Sequence, residues 1–305
     1  MNEPWLVLDA DYLCHRSNHT TGSLSYGGDP TGTAFGFLKT TQALLRQFQT
    51  KKIAFCWDHG KSKRVEMRPS YKLNRREQVA SETKEEKESR LAMKEQMLKL
   101  RTEWLPSLGY NNNFWQDGYE GDDIVAAVVK ESIGKDEAVI VGDDKDLYQL
   151  LTPKVTMWKP RAKVLYTVED LAKQYHGIQP ERWHCVKALA GCPGDNVKGI
   201  EGVGDLTAAK FLQGLLPEHL KIKKKIETEL KEVWARNLPL VQLPLEGTIA
   251  PKLVEDEVDD KKWNRLSKTL GMGSLIHDED GFVLPRRRRK EETTIKVVEE
   301  GFGFT

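Results

Sequence analysis

Glu120, Asp122 and Asp123 stand within four residues of one another, and a second acidic group, Asp143, Asp144 and Asp146, follows shortly after. Carboxylates brought together repel one another and shed water at a cost, so a gathered set calls for cations. Ligands that are all oxygen suit hard divalent ions, Mg²⁺ or Mn²⁺. Taken singly, the first group also reads as an acidic helix N-terminus and the second as a solvated turn. Their closeness along the chain, with further acids at other strand ends, weighs toward a metal site.

The elements that must position these groups are legible as apolar patterns. Residues 124–129 give the buried face of a helix, and 138–141 form a short apolar run that predicts a buried parallel strand. In an open parallel sheet the carboxyl ends of strands border the ligand crevice, so Asp144 and Asp146 are expected to face it. Asp143 is expected to point away, because neighbours in extended backbone face opposite sides. The pattern recurs: residues 5–8 read as a strand ending at Asp9, and 52–57 as a strand ending at Asp58. Asp11 reads as a cap or surface acid. Arg16, seven residues past Asp9, either reaches a phosphate beside that acid or is a plain surface arginine.

Between these strands, 33–48 has helical periodicity. Basic residues crowd 61–76, and 77–90 is almost wholly polar, which predicts a mobile loop or a pair of exposed helices. A docking helix follows, stopped by Gly109, and 112–115 reads as a short strand. Two more short strands, 155–158 and 164–166, are expected at the far edge of the sheet, and 168–175 reads as a helix.

A second pattern begins with a helix at 183–190. The run Gly191-Cys192-Pro193-Gly194-Asp195-Asn196 comes next, then the turn containing Gly202 and Gly204, then a helix with Thr207, Ala208 and Lys210. Glycines let backbone approach a phosphate, and the N–H groups at a helix start point at it. This is a helix-hairpin-helix pattern for gripping a DNA backbone, with basic residues at 221–225 behind it. Pro239 and Pro244 read as breaks in the helical stretches that follow, and the chain to about residue 276 is expected to pack back on the body.

Composition is compatible with that division of labour. The chain has 305 residues, 39% hydrophobic and 8% aromatic, enough for a sizeable core. Its net charge of +1 excludes a uniformly basic coat but not local patches at 61–76, 221–225 and 286–290. No apolar run reaches the ~20 residues that span a bilayer, and the N-terminus lacks the features of a signal peptide. Four cysteines without close paired spacing argue against zinc and disulfide frameworks. A protein of the cytoplasm is the expectation.

With these residues assembled, about 5–276 resembles the 5′-nuclease family of phage flap endonucleases, 5′ to 3′ exonucleases and the N-terminal nuclease domain of bacterial DNA polymerase I. The resemblance is carried by Asp9, Trp57-Asp58, Tyr71-Lys72 with Arg75, Gly118 to Asp123, Gly142 to Asp146, and Gly191 to Ala208. It implies an α/β fold with a mostly parallel central sheet flanked by helices, a PIN-like nuclease domain over 1–184. A helical arch at about 71–93, a helix-three-turn-helix module over 185–277 and a basic tail over 278–305 complete the expected organisation.

The resemblance also implies roles. Asp9, Asp58, Glu120, Asp122 and Asp123 would serve a first metal site, and Asp144, Asp146 and Asp195 a second, with Asp123 near both. Lys72 would approach the scissile phosphate, Tyr71 would stack on a terminal base, and Arg75 and Arg16 would help hold the substrate. In some relatives a monovalent cation, K⁺, sits in the hairpin. Cys192 departs from the family's pattern, replacing the first of two carboxylates by a thiol that matches Mg²⁺ poorly, so the second site is expected to be weaker. The implied activity is structure-specific hydrolysis of DNA, or of RNA primers in RNA–DNA hybrids, near 5′ ends, flaps and nicks by a monomer using two cations ~4 Å apart. A non-cleaving branched-DNA-binding protein is the alternative that the same residues allow.

Overall fold

The computed structural model describes residues 3–278 and Gly281; the expected basic tail lies outside the described residues, apart from Asp278 and Gly281. Six strands form one sheet: β1 (Trp5–Asp9), β2 (Ile53–Cys56), β3 (Asn113–Phe114), β4 (Ala138–Val141), β5 (Val155–Lys159) and β6 (Val164–Tyr166). Their spatial order is β3-β2-β1-β4-β5-β6, parallel throughout except for the last pair. From β1 the chain builds outward through β2 to β3, then returns to place β4 on the other side of β1. That reversal makes a topological switch point between β1 and β4, where open sheets of this kind receive ligands. Asp9 ends β1, and Asp144 follows β4.

Alternation along the strands divides the core into two. Leu6, Leu8, Ile53, Phe55, Val139 and Val141 face one side, packed under α1 (Ala10–Thr21) and α2 (Gly32–Phe48). Val7, Ala54, Cys56 and Ile140 face the other. Both faces are covered, which is why the strands are unbroken apolar runs. Beyond β2 come α3 (Lys63–Met67), then α4 (Leu73–Ala80) and α5 (Lys84–Lys99). The polar stretch expected as a loop or exposed helices is therefore helical. No residue of α4 is buried. A Thr83–Glu86 capping box starts α5, whose later part docks through Met93 and Met97.

The acidic motif opens α6 (Gly121–Ala127), and α7 (Trp183–Ala190), α8 (Asp205–Leu212) and α9 (Lys221–Val241) form the hairpin region. Val186, Ile200, Val203, Ala208 and Ile226 belong to the same apolar cluster as Val7 and Ile140, so the core runs without interruption past residue 184. Gly191 takes φ +80°, and a Cβ there would lie 2.4 Å from the Gly199 nitrogen, so only glycine lets this turn close. Pro239, expected as a break, sits inside α9. It comes two residues before the helix end, where it removes one backbone bond while Leu240 and Val241 stay buried. Finally α10 (Asp260–Thr269) packs Trp263 on the opposite face, with Met272 and Leu275 beyond it. All four thiols are free, and no helix among the described residues is long and apolar enough to cross a membrane.

Candidate functional site

Where β2, β1 and β4 end, their acids meet. A cleft of about 460 Å³ is lined by Asp9, Asp11, Asp58, Glu120, Asp122, Asp143, Asp144 and Asp195, together with Lys72 and Arg75. Local hydrogen bonds fix this edge. Asp9 caps α1 by accepting the Tyr12 N–H at 2.9 Å, and Asp58 accepts the Gly121 N–H at 2.6 Å, tying β2 to the start of α6. Asp11 accepts the Asp58 N–H at 2.9 Å. It is thus part of the cleft wall rather than a surface acid. Asp143, expected to point away, also lines the cleft and accepts the Tyr12 hydroxyl at 2.9 Å. Alternation fails there because the strand has ended at Val141.

The charge of this group is unbalanced. Burial pushes the Asp9 and Asp122 carboxyls well above the usual range, and neighbouring acids add to it, Asp11, Asp58 and Asp144 for Asp9, and Asp144, Asp9 and Asp58 for Asp122. Asp11 is pushed up to about 7, by burial first and then by Asp58. The Asp122 Oδ1 atom is buried with no hydrogen-bond partner. An orphaned carboxylate oxygen among like charges fits a hard cation. Among the described residues no three His, Cys, Asp or Glu side chains close around a single ion. Mg²⁺ commonly keeps several waters, so a donor set of this kind suits it through few direct ligands.

Other acids from the same motifs meet cations of the chain instead. Both oxygens of Asp123 are taken by Arg64, at 2.6 and 2.8 Å, and also accept the Leu245 and Glu120 N–H groups. Asp123 and Arg64 are almost fully buried, so the residue expected beside both metals is a structural ion pair. Glu120 is held by Lys72 at 2.8 Å and accepts the Tyr71 hydroxyl at 3.0 Å. Burial works upward on its carboxyl, but Lys72 and Arg64 outweigh it and leave it below the usual value. Tyr71, expected to stack on a terminal base, is only 3% exposed and packs against Ala188, Cys192 and Val197. Lys72 holds φ +54°, an uncommon conformation for a side chain of this type, and its N–H donates to the Asp195 carbonyl at 2.9 Å.

Asp146 does not line the cleft. It lies 3.5 Å from the Lys187 ammonium and accepts the Cys192 thiol at 3.6 Å. Burial, then Asp144, pushes it up to about 7. Asp195 pairs with Arg75 at 2.6 Å. Arg16 is half-buried on α1, one turn beyond Tyr12. Gly202 and Gly204 are exposed in the hairpin turn, while Thr207 and Lys210 are half-buried on α8. Sequence reading missed Arg64 and Lys187. Lys187 alone left a signal, a charge between the buried Val186 and Ala188.

A parallel sheet whose strand ends pool carboxylates at a switch point, beside a glycine hairpin, defines a metal-site nuclease-like architecture. This chain belongs to the 5′-3′ exonuclease family: the family's N-terminal resolvase-like domain matches residues 4–176. It is similar to the flap endonuclease of Escherichia phage T5, 28% identical over 271 residues that cover 84% of this chain and 89% of that one. The thermostable DNA polymerase I of Thermus thermophilus is 29% identical over 290 residues, 90% of this chain but 33% of the polymerase. The chain thus spans about a third of the length of such polymerase relatives. A solved structure described as divalent metal ions (zinc) bound to T5 5′-exonuclease superposes with a TM-score of 0.67 at 27% identity, covering 79% of this chain and 90% of that one.

Proposed function

We propose that this chain is a structure-specific 5′ to 3′ exonuclease and flap endonuclease, hydrolysing DNA phosphodiesters near 5′ ends. The observation that carries this reading is the acid group at the switch point, Asp9, Asp58, Asp122 and Asp144, none of which forms an ion pair with a lysine or arginine among the described residues. Divalent cations, Mg²⁺ or Mn²⁺, held there would neutralise the phosphate and lower the pKa of water. Lys72, fixed at 2.8 Å from Glu120 at the cleft wall, supplies positive charge where negative charge develops on the phosphate. Arg75 extends that charge toward the hairpin. Gly202 and Gly204 free the turn backbone to approach a duplex phosphate, and Thr207 and Lys210 flank it; K⁺ in this turn is part of the same reading. Arg16 is placed to hold the 5′ strand. Asp146 and Asp195 are the carboxylates of the second ion, which binds weakly because Lys187, Cys192 and Arg75 already engage them. A monomer working in the cytoplasm on flaps, nicks and primer hybrids completes the proposal.

Cys192 and Lys187 at Asp146 also favour the alternative of a branched-DNA-binding protein with negligible turnover. One assay separates the two. Flap, gapped and single-stranded substrates carrying a 5′ label are incubated with Mg²⁺, with and without chelator. Release of short 5′ products that chelation stops supports the nuclease; binding without cutting under every divalent ion supports the alternative.

A further inference from the structure

The β4 end of the site differs from the rest in already holding its own cations. Lys187 comes from α7, between the buried Val186 and Ala188, and α7 packs against both the 145–150 turn and α8. Its side chain is 11% exposed, and its ammonium lies 3.5 Å from Asp146 Oδ1 and 3.9 Å from Asp205 Oδ1. Lys145 takes the other Asp205 oxygen at 3.0 Å, and Arg75 takes Asp195 at 2.6 Å. Acids and cations are therefore matched here, Asp146 and Asp205 against Lys187 and Lys145, and Asp195 against Arg75.

As they stand, these carboxylates do not fit a divalent ion. Mg²⁺ gives up its waters reluctantly and takes oxygens that are free to face it. Cys192, the remaining group beside Asp146, donates its thiol to Oδ2 at 3.6 Å, and a protonated sulfur is neither hard nor anionic. A cation added here would leave positive charge in excess, because the acids nearest to it are already paired with Lys187, Lys145 and Arg75. Cleavage of a phosphodiester by paired ions places positive charge at both the attacking and the leaving oxygen. At the β4 end Lys187 supplies the second charge ready-made. Its ammonium is fixed by the packed helix that carries it, and it is near enough for its charge to act on Asp144 in the cleft wall.

We propose that Lys187 is a positioning residue whose ammonium takes the place of the second divalent ion, so that this chain cuts with one ion bound. It rests on the nuclease reading and deepens it, since the weak second ion becomes an occupant of high ion concentrations only. A lysine that merely obstructs that ion has the opposite signature, because its removal then helps.

The test is a Mn²⁺ titration of the full chain with two readouts, on wild type, Lys187→Met and Lys187→Arg. Ions bound per chain are counted by electron paramagnetic resonance over a DNA-only blank, and cleavage of a 5′-labelled flap is followed at the same concentrations. Wild type is expected to reach its plateau rate with one ion bound. At that concentration Lys187→Met should cut slower by about ten-fold or more, recovering only as a second ion binds at higher Mn²⁺. Lys187→Arg keeps the charge and should recover most of the rate with one ion. Two ions at the wild-type plateau, or a Lys187→Met chain that cuts as fast as wild type or faster at low Mn²⁺, overturn the stand-in and leave the nuclease reading standing. Should a thermal melt show that Lys187→Met does not fold, the wild-type ion count and Lys187→Arg decide. A wild type that stays inactive with every divalent ion sinks both together.

Discussion

Two sets of acids from the same short motifs have opposite fates. Asp9, Asp58, Asp122 and Asp144 face one another, and among the described residues none of them is in an ion pair with a lysine or arginine. Glu120, Asp123, Asp146 and Asp195 each meet a lysine or arginine, namely Lys72, Arg64, Lys187 and Arg75. Asp122 and Asp123 are adjacent in sequence, yet one has an orphaned oxygen and the other has both oxygens engaged by Arg64. The difference teaches that an acidic motif is not one functional unit. On a helix, neighbouring positions point about 100° apart, so one carboxylate reaches the cleft and the next the core.

The most severe test of that contrast is Asp122→Asn. Cleavage of a 5′-labelled flap is expected to fall below detection, while DNA affinity in chelator stays intact; retained turnover would place Asp122 in the wrong set. Arg64→Ala probes the other set, since it strands a buried carboxylate. Unfolding in urea should show a loss of about 3–5 kcal/mol, the usual cost of breaking one side of a buried pair. A loss below about 1 kcal/mol would mean that Asp123 is solvated after all.

Acidity gives a third, smaller effect in the metal-free protein. Asp11 and Asp146 are raised to about 7 from an unfolded value near 3.9. Folded protein therefore binds more protons than unfolded protein between about pH 4 and pH 7, and stability in EDTA falls as pH rises through that window. Glu120 runs the other way, because its lowered carboxyl loses its contribution only as pH falls below the ordinary glutamate range. Thermal melts in EDTA at pH 5.5 and pH 8 should show the lower melting temperature at pH 8, and Mg²⁺ should restore it. The smallest effect expected is from Cys192→Asp, a modest rise in Mg²⁺-dependent rate; a rise from near zero would favour the non-cleaving alternative.

Much of this was legible in the chain. Apolar runs announced β1, β2 and β4, and an acid after each announced the cleft, because a parallel sheet puts those ends on one edge. The pairing of charges was not legible. Arg64 lies in a basic run and resembles its neighbours in type and spacing, yet it is 1% exposed because its partner Asp123 is brought to it from far along the chain. Tyr71 was assigned to bases by resemblance, but its hydroxyl finds Glu120 inside the fold. Asp143 was misjudged because it lies past the end of its strand, where the period of two no longer holds, and Asp11, read as a cap or surface acid, turned to the cleft because the Asp58 N–H that it accepts comes from a distant strand end.

Direct ion binding is the sharpest probe of the unmatched set. Mn²⁺ titration followed by electron paramagnetic resonance, on wild type and Asp122→Asn, measures it without turnover. Saturable binding in the wild type and a loss of about ten-fold or more in affinity on removing that one charge are the results expected. Equal Mn²⁺ affinity in the two proteins would contradict the claim that these acids form the metal centre.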